Sequence, residues 1–84
     1  MLDSIDELRL FTAVFEGGSI RAASERLAMT AAGGSKRLLS LEDRVGRRLF
    51  NRTTRKLSPT TDGQKLYQHA QSILASVQEA ERGL

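Results

Sequence analysis

The sequence predicts a mainly α-helical protein, in which three helices and a short two-stranded wing are followed by one long C-terminal helix. Three observations predict this fold. Apolar residues recur at helical spacing in four segments, each preceded by a Ser or Thr that suits a helix N-cap. Two short apolar runs flank a polar turn after the third helix. The last segment carries a heptad repeat of apolar residues.

The first helix is predicted to begin after a cap at Ser4 or Asp3 and to end at Gly17 and Gly18. The acidic residues of its first turn, Asp6 and Glu7, suit the positive end of the helix dipole. Its buried stripe is predicted to comprise Ile5, Leu8, Phe11, Val14 and Phe15.

The second and third helices are predicted to form a helix-turn-helix. Ser19 caps the second helix, from Ile20 to about Leu27, and Thr30 caps the third, over about residues 30–45. Only about two residues separate them, and so short a link fixes their crossing angle. The apolar face of the second helix is predicted to comprise Ala22, Ala23 and Leu27.

At about 100° per residue, the third helix separates a buried arc from an exposed one. The buried arc comprises Gly34, Leu38, Leu41 and Val45. The opposite arc comprises Ala32, Lys36, Leu39 and Asp43, with Ser35 and Ser40 on its flanks. Its N-terminal half is small, polar and basic, as a surface entering a DNA groove requires, whereas Glu42 and Asp43 follow where the helix would leave the DNA.

Two glycines inside the third helix, Gly33 and Gly34, each cost about 1 kcal/mol relative to Ala. Because Gly34 lies on the buried arc, either the second helix approaches it closely or the core is thin there. We expect Gly34→Ala to stabilise the protein, as it would if the glycine were only a weak helix former.

The wing is predicted from a strand at Leu49 and Phe50, a polar turn over residues 51–56 and a return at Leu57 before Pro59. Strands this short need support from the helices. The residues expected at the tip are Arg52, Arg55 and Lys56.

Thr60 is predicted to cap the last helix, whose apolar positions are spaced by four and three residues in alternation. The seam comprises Leu66, Ala70, Ile73, Val77, Ala80 and Leu84. This pattern favours a homodimer interface, and the alternative is a helix folded back on its own domain. Tyr67 and Leu74, off the seam, are expected to pack inward.

We divide the chain into a DNA-binding part, residues 1–59, and a linker or dimerisation helix, residues 60–84.

Charge is concentrated in the middle of the chain. The 84 residues carry a net charge of +3, but from Lys36 to Lys56 eight basic residues face two acidic ones. Such a patch is typical of a nucleic-acid-binding surface, and the alternative is an ordinary solvated surface.

Composition excludes several other classes of protein. Without cysteine there is no disulfide framework and no thiolate metal site. No apolar run approaches the roughly 20 residues of a membrane span, and the acidic start differs from a signal peptide, so we expect a cytoplasmic protein without membrane contact. The single histidine, His69, has no carboxylate or nucleophile spaced to work with it, so neither an enzyme nor a cofactor is expected.

The segment from Gly18 to Gly63 resembles the N-terminal winged helix-turn-helix of LysR-type transcriptional regulators. The parts that carry the resemblance are Gly18-Ser19, Ala22-Ala23 with Leu27, Ser35-Lys36-Arg37 before Leu41-Glu42, Gly46 with Leu49-Phe50, Arg52-Thr53, and Thr60 with Gly63. The resemblance implies a bacterial, nucleoid-associated regulator that binds an interrupted inverted repeat in double-stranded DNA as a homodimer. It also implies that a small-molecule effector binds only a further domain, absent from this chain, so we expect an isolated DNA-binding domain.

The start of the third helix, which is the recognition helix in this family, departs from the family's common sequence. Where members commonly read Ser-Gln-Pro-Ala-Val-Ser-Arg, this chain reads Thr-Ala-Ala-Gly-Gly-Ser-Lys from Thr30. The glutamine that often reaches a base edge is replaced by Ala31, which leaves methyl contacts to thymine.

On this interpretation the third helix enters the major groove and the wing, residues 51–56, contacts the backbone or minor groove. The predicted DNA-binding residues are Ser19, Thr30, Ala31, Ala32, Ser35, Lys36, Arg37, Arg52, Thr53, Arg55 and Lys56. The alternative function is a helical adaptor, whose heptad helix binds a protein and whose basic patch serves solubility.

Overall fold

The computed structural model describes residues 4–53 and 56–83. Within these ranges lie four helices and one two-stranded antiparallel sheet, which confirms the predicted mainly α-helical fold with a wing. The elements in chain order are α1 (Ile5–Gly17), α2 (Ile20–Arg26), α3 (Ala31–Val45), β1 (Phe50–Arg52), β2 (Leu57–Pro59) and α4 (Thr61–Gly83).

Each helix begins at a hydroxyl that accepts a hydrogen bond from a backbone N–H of the first turn. The four caps are Ser4, Ser19, Thr30 and Thr60, with bonds of 2.9–3.1 Å. Since a cap satisfies a backbone donor that the helix cannot, it fixes where the helix starts. The caps predicted from the sequence are confirmed.

α1 is the central helix of the core, because α2 and α3 cover one side of it and α4 covers another. Leu8, Phe11 and Val14 are buried as predicted. Ile5 is 38% exposed, so its predicted burial is wrong; it lies at the N-terminal end of α1, where the cover is incomplete. The core comprises Leu8, Leu10, Phe11, Ala13, Val14, Ala23, Leu38, Leu41, Leu49, Phe50 and Ala70.

The wing is anchored to the core at its base. Phe50 is buried, and its ring centroid lies 5.5 Å from that of Phe11. In the antiparallel ladder Phe50 pairs with Pro59 and Arg52 pairs with Leu57. The first strand therefore extends to Arg52, and the predicted turn over residues 51–56 was too long.

The N-terminal part of α4 packs on its own domain. Ala70 is completely buried, and Tyr67 stacks on Phe15 with ring centroids 3.9 Å apart and planes 6° from parallel. Tyr67 and Leu74 pack inward as predicted.

None of the helices in the described ranges combines the length and hydrophobicity that crossing a membrane requires.

The start of α4 is also tied to the wing. The Thr60 N–H donates to the Leu49 carbonyl at 3.0 Å, and the Thr60 hydroxyl donates to the Arg48 carbonyl at 2.6 Å. A Cβ placed on Gly63 would lie 3.1 Å from the carbonyl carbon of Leu49. The backbones therefore meet too closely there for a larger residue.

Candidate nucleic-acid interface

The N-terminal half of α3 presents a small, polar and basic surface to solvent. Ala31, Ala32, Lys36 and Arg37 are exposed, and Ser35 is half-buried. Thr30 precedes them, exposed, with its hydroxyl oxygen 2.9 Å from the Gly33 nitrogen. The structure therefore brings the predicted residues of this segment together on the first turns of one helix.

The turn between α2 and α3 is closed by the C-terminal carbonyls of α2. The Met29 N–H donates to the Ser24 carbonyl at 2.8 Å, and the Ala28 N–H donates to the Glu25 carbonyl at 3.1 Å. This pair of bonds forms a Schellman motif, which requires a left-handed residue after the helix. Ala28 occupies that position with φ +58°, and it is the one described non-glycine residue with positive φ. The turn keeps this backbone conformation although its residue is not glycine.

The two helices of this motif meet closely at Gly34. A Cβ placed on Gly34 would lie 3.0 Å from Ser24 Cβ, and Ser24 Oγ would be nearer still. Ser24 is completely buried, and its hydroxyl donates to the Ile20 carbonyl at 2.7 Å. Of the two explanations for Gly34, close approach is therefore correct. This geometry reverses the expectation that Gly34→Ala stabilises the protein, because the added methyl would have to displace the Ser24 side chain.

The buried face of α2 differs from its prediction by one position. Ala23 is buried as predicted, but Ala22 is exposed and Ser24 is buried instead. A serine suits this position because its hydroxyl bonds within the helix while its small side chain admits α3. The sequence did not indicate Ser24, because a polar side chain is not expected in a core.

The arginine and lysine side chains of the described residues divide into those in ion pairs and those without one. Arg9 lies 4.0 Å from Asp6 and Arg21 lies 3.7 Å from Glu25, both across one helical turn. Among the described residues from Lys36 to Lys56, five exposed basic side chains take part in no ion pair: Lys36, Arg37, Arg47, Arg48 and Lys56. These five cations of the basic segment are free to neutralise phosphates.

The wing tip displays a polar, basic surface. Thr53 and Lys56 are exposed, and Thr53 binds the Lys56 carbonyl through both its N–H, at 3.1 Å, and its hydroxyl, at 2.9 Å. These bonds fix Lys56 relative to the end of β1. Arg55, also predicted to bind DNA, lies outside the described residues.

Glu42 joins α3 to the wing, a role that its charge concealed in the sequence. Its carboxylate accepts hydrogen bonds from the backbone N–H groups of Leu49, at 2.7 Å, and Phe50, at 3.2 Å. Glu42 is buried, with 7% of its surface exposed, although it was predicted on the part of α3 that leaves the DNA. A positional signal existed: Glu42 lies about 40° from Leu38 on the helical wheel, next to the buried arc.

Arg52 completes this network. Its Nη2 lies 2.8 Å from Glu42 Oε1, and three quarters of the side chain is covered. The prediction of Arg52 at the wing tip is wrong, because the Glu42 carboxylate draws its guanidinium toward α3.

Ser19, which was also predicted to bind DNA, is half-buried at the start of α2, where its hydroxyl oxygen accepts a hydrogen bond from the Ala22 N–H.

A second ion pair joins α1 to α3. Arg44 Nη2 donates to the carboxylate of Glu7, which is also buried, and Arg44 Nη1 donates to Ser40 at 3.2 Å. Glu7 was predicted only to serve the helix dipole. The pair therefore gives α3 a polar attachment to the central helix besides its apolar packing.

The predicted seam of α4 divides into two parts. Leu66, Ala70 and Ile73 pack against the core of their own domain, and Ala70 has no exposed surface left for a partner. Its assignment to a dimer interface is therefore wrong. Further along, Val77 is half-buried outside that core and Ala80 is exposed. Leu84 lies outside the described residues.

One tyrosine has a perturbed acidity. The Tyr67 hydroxyl donates to Glu16 Oε2 at 2.6 Å and accepts from Gln71 at 3.2 Å. The hydrogen bond to Glu16, together with partial desolvation and the negative charge of that carboxylate, raises the pKa of Tyr67 above 10.0.

His69 is exposed on α4, and within the described residues no three His, Asp or Glu side chains gather as metal ligands would.

Comparison with known proteins identifies the family. The model for the family described as "Bacterial regulatory helix-turn-helix protein, lysR family" matches residues 5–64. The chain belongs to the LysR family. The match covers the helix-turn-helix and the wing and reaches the first turn of α4.

Several LysR-type regulators are similar to this chain. The transcriptional regulator CrgA of Neisseria meningitidis is 41% identical over 81 residues, which is 96% of this chain and 27% of CrgA. The regulator CfxR of Cupriavidus necator is 36% identical over 81 residues, which is 96% of this chain and 26% of CfxR. This LysR-family chain thus spans about a quarter of the length of these relatives.

Solved LysR-type structures have the same fold. A complex of the BenM DNA-binding domain with benA site 1 DNA matches with a TM-score of 0.90 and 29% identity, over 95% of this chain and 90% of that one. A complex of the CbnR DNA-binding domain with DNA matches with a TM-score of 0.85 and 27% identity, over 96% and 94%. This chain therefore has the winged helix-turn-helix of a LysR-type DNA-binding domain.

Proposed function

We propose that this chain binds double-stranded DNA sequence-specifically as a homodimer and forms the DNA-binding part of a bacterial transcription regulator, with no enzymatic activity of its own. The observation that carries the proposal is the exposed first half of α3, which stands beside cations that no carboxylate neutralises. Solved relatives of the same fold are complexes with DNA. Related curated proteins are transcriptional regulators.

The first turns of α3 would enter the major groove. Ala31 and Ala32 are small and exposed, so the helix backbone can approach the base edges closely and offer methyl contacts to thymine. Lys36 and Arg37 supply positive charge there, and the hydroxyls of Thr30 and Ser35 can bond to phosphate or base. Specificity on this surface depends more on shape and methyl contacts than on an amide side chain.

Phosphate contacts would flank the groove on both sides. Ser19 presents a hydroxyl and the first amides of α2, which suit an anion. On the other side the wing brings Thr53 and Lys56, together with Arg55, to the backbone or the minor groove. Such contacts fix the register of the protein without reading sequence.

The second half of α4 would hold two copies together. Val77 and Ala80 continue the heptad pattern beyond the part covered by the core, and Leu84 follows at the same spacing. A twofold pair of readers matches an inverted repeat, whose two half-sites are separated by the span between recognition helices. We keep the division into a DNA-binding part, residues 1–59, and a linker helix, residues 60–84. Sensing of a small-molecule effector would belong to a separate domain, and the site of action would be the cytoplasmic nucleoid.

An electrophoretic mobility shift against mixed genomic DNA tests the proposal. The chain should shift this DNA, and the bound fragments, once recovered and sequenced, should share an interrupted inverted repeat. A chain that shifts no DNA at low salt would refute the proposal and favour the helical-adaptor alternative. A shift without a shared sequence would refute its specificity.

A further inference from the structure

We infer that Glu42 is a positioning residue for DNA binding: from α3 it holds the wing in one orientation, so that groove contacts and wing contacts engage together. The inference rests on the proposed function and adds a specific mechanism to it. Glu42 itself touches no DNA in this account.

Both oxygens of the Glu42 carboxylate are hydrogen-bonded. Glu42 accepts two bonds from the backbone where the chain enters the wing, and a third from the Arg52 side chain at the end of β1. Glu42 as a whole is 93% covered, and a buried carboxylate is stable only when its oxygens are bonded in this way. Because its donors span residues 49–52, the contact fixes the direction of β1 as well as its distance from α3.

Without this contact the wing would be weakly held. Each strand has three residues, too few for an independent hairpin. Leu49 and Phe50 bury their side chains in the core and so fix the base of the wing. Beyond them, Asn51 and Thr53 are exposed, and the Arg52 pair is the contact that ties the end of β1 to α3.

The pair between Glu42 and Arg52 is connected to a cation at the wing tip. Thr53, next to Arg52, binds the Lys56 carbonyl through two hydrogen bonds. A chain of direct contacts therefore runs from Glu42 on the recognition helix through Arg52 and Thr53 to Lys56 at the wing tip. If α3 sits in the groove, this chain of contacts determines where Lys56 meets the backbone.

Asp43 is a matched control for Glu42, because it is an acidic residue at the next position of the same helix. Asp43 is exposed, whereas its neighbour Glu42 is buried. Each of the variants Glu42→Gln and Asp43→Asn removes one negative charge beside the basic surface. If charge alone matters, both variants should bind DNA more tightly than the wild type. If Glu42 positions the wing, Glu42→Gln should bind more weakly and Asp43→Asn should not.

The experiment uses the 84-residue chain and a duplex that the wild type selects from a random library. Binding is titrated at several salt concentrations, at a temperature where circular dichroism shows each variant folded. Glu42→Gln should weaken binding by about fivefold or more and flatten the log–log salt slope by about 2 for a dimer, since each protomer loses its Lys56 phosphate contact. Asp43→Asn should bind as tightly as the wild type or tighter, with its slope unchanged.

The inference is overturned if Glu42→Gln binds as tightly as Asp43→Asn with an unchanged slope, because a role in stability alone would leave the slope of the folded protein intact. A wild-type chain that binds no DNA would instead refute the proposed function. The two failures are therefore distinguishable.

Should Glu42→Gln fail to fold, Arg52→Gln replaces it, since this variant keeps the backbone bonds to Glu42. It is compared with and without the pair Arg55→Ala and Lys56→Ala. Positioning predicts that Arg52→Gln flattens the slope only when the wing cations are present. An equal flattening in both backgrounds would show that Arg52 contacts phosphate directly, and would overturn the inference.

Discussion

Gly34 of α3 lies directly against Ser24 of α2, so closely that a Cβ on the glycine would be 3.0 Å from Ser24 Cβ. This contact sets the distance between the two helices of the helix-turn-helix. The position of the recognition helix therefore depends on the absence of a side chain at residue 34.

Gly34→Ala should destabilise the protein by about 1–3 kcal/mol, the usual range for a methyl forced into a packed core. The control is Gly17→Ala at the end of α1, where an added Cβ meets nothing within 4 Å; there we expect a gain of up to about 1 kcal/mol. Urea unfolding measures both free energies. Equal gains at the two positions would show that α2 and α3 are not in close contact.

Ala28→Gly should stabilise the protein by about 0.5–1 kcal/mol. The left-handed conformation at φ +58° costs an alanine about 1–2 kcal/mol, and the greater freedom of glycine in the unfolded chain offsets part of the gain. Ala22→Gly, within α2 and exposed, is the control and should lose about 1 kcal/mol. Thermal melts of the two variants should therefore shift in opposite directions, and a loss in both would contradict the geometry of this turn.

Tyr67 should ionise above the usual range of a tyrosine. Its bond to Glu16 favours the neutral hydroxyl, so the pKa of Tyr67 is raised above 10.0 in the folded protein. The stability that this shift supplies is present below the unfolded pKa and is lost as the pH rises through the folded pKa. Because Tyr67 is the single tyrosine, its ultraviolet absorbance titration reports this group alone. Glu16→Gln should lower the midpoint, and an unchanged midpoint would contradict the contact.

Much of this architecture could be predicted because its determinants are local. A cap, a left-handed glycine and an apolar stripe act within a turn or two of sequence, and so the four helices begin where Ser4, Ser19, Thr30 and Thr60 indicate. At Glu42 the prediction was incomplete. An acidic residue at the edge of a buried arc is either solvated or bonded, and only the fold shows that the chain entering β1 supplies donors.

The heptad of α4 shows a second reason for error. Periodicity shows that one face of a helix is covered, but not which element covers it. Near Ala70 the cover is the chain's own core. Only beyond Ile73 does the same face leave that core and become available to another copy.

Val77→Glu should therefore break the proposed dimer, whereas Ser76→Glu, one position away and exposed, should not. A buried, unpaired carboxylate at an interface is strongly unfavourable, but on a solvated face it has little effect. Analytical ultracentrifugation should find monomers for the first variant and dimers for the second. A wild-type chain that stays monomeric at micromolar to tens-of-micromolar concentration would contradict the interface.

The most direct test of the central claim, that this surface binds DNA by neutralising phosphates around α3 and the wing, is a salt titration. A dimer that neutralises roughly 6–10 phosphates should lose affinity with a log–log slope of about −5 to −9. Lys56→Ala, which removes one wing cation from each protomer, should flatten this slope by about 2. A wild-type slope near zero would contradict the account.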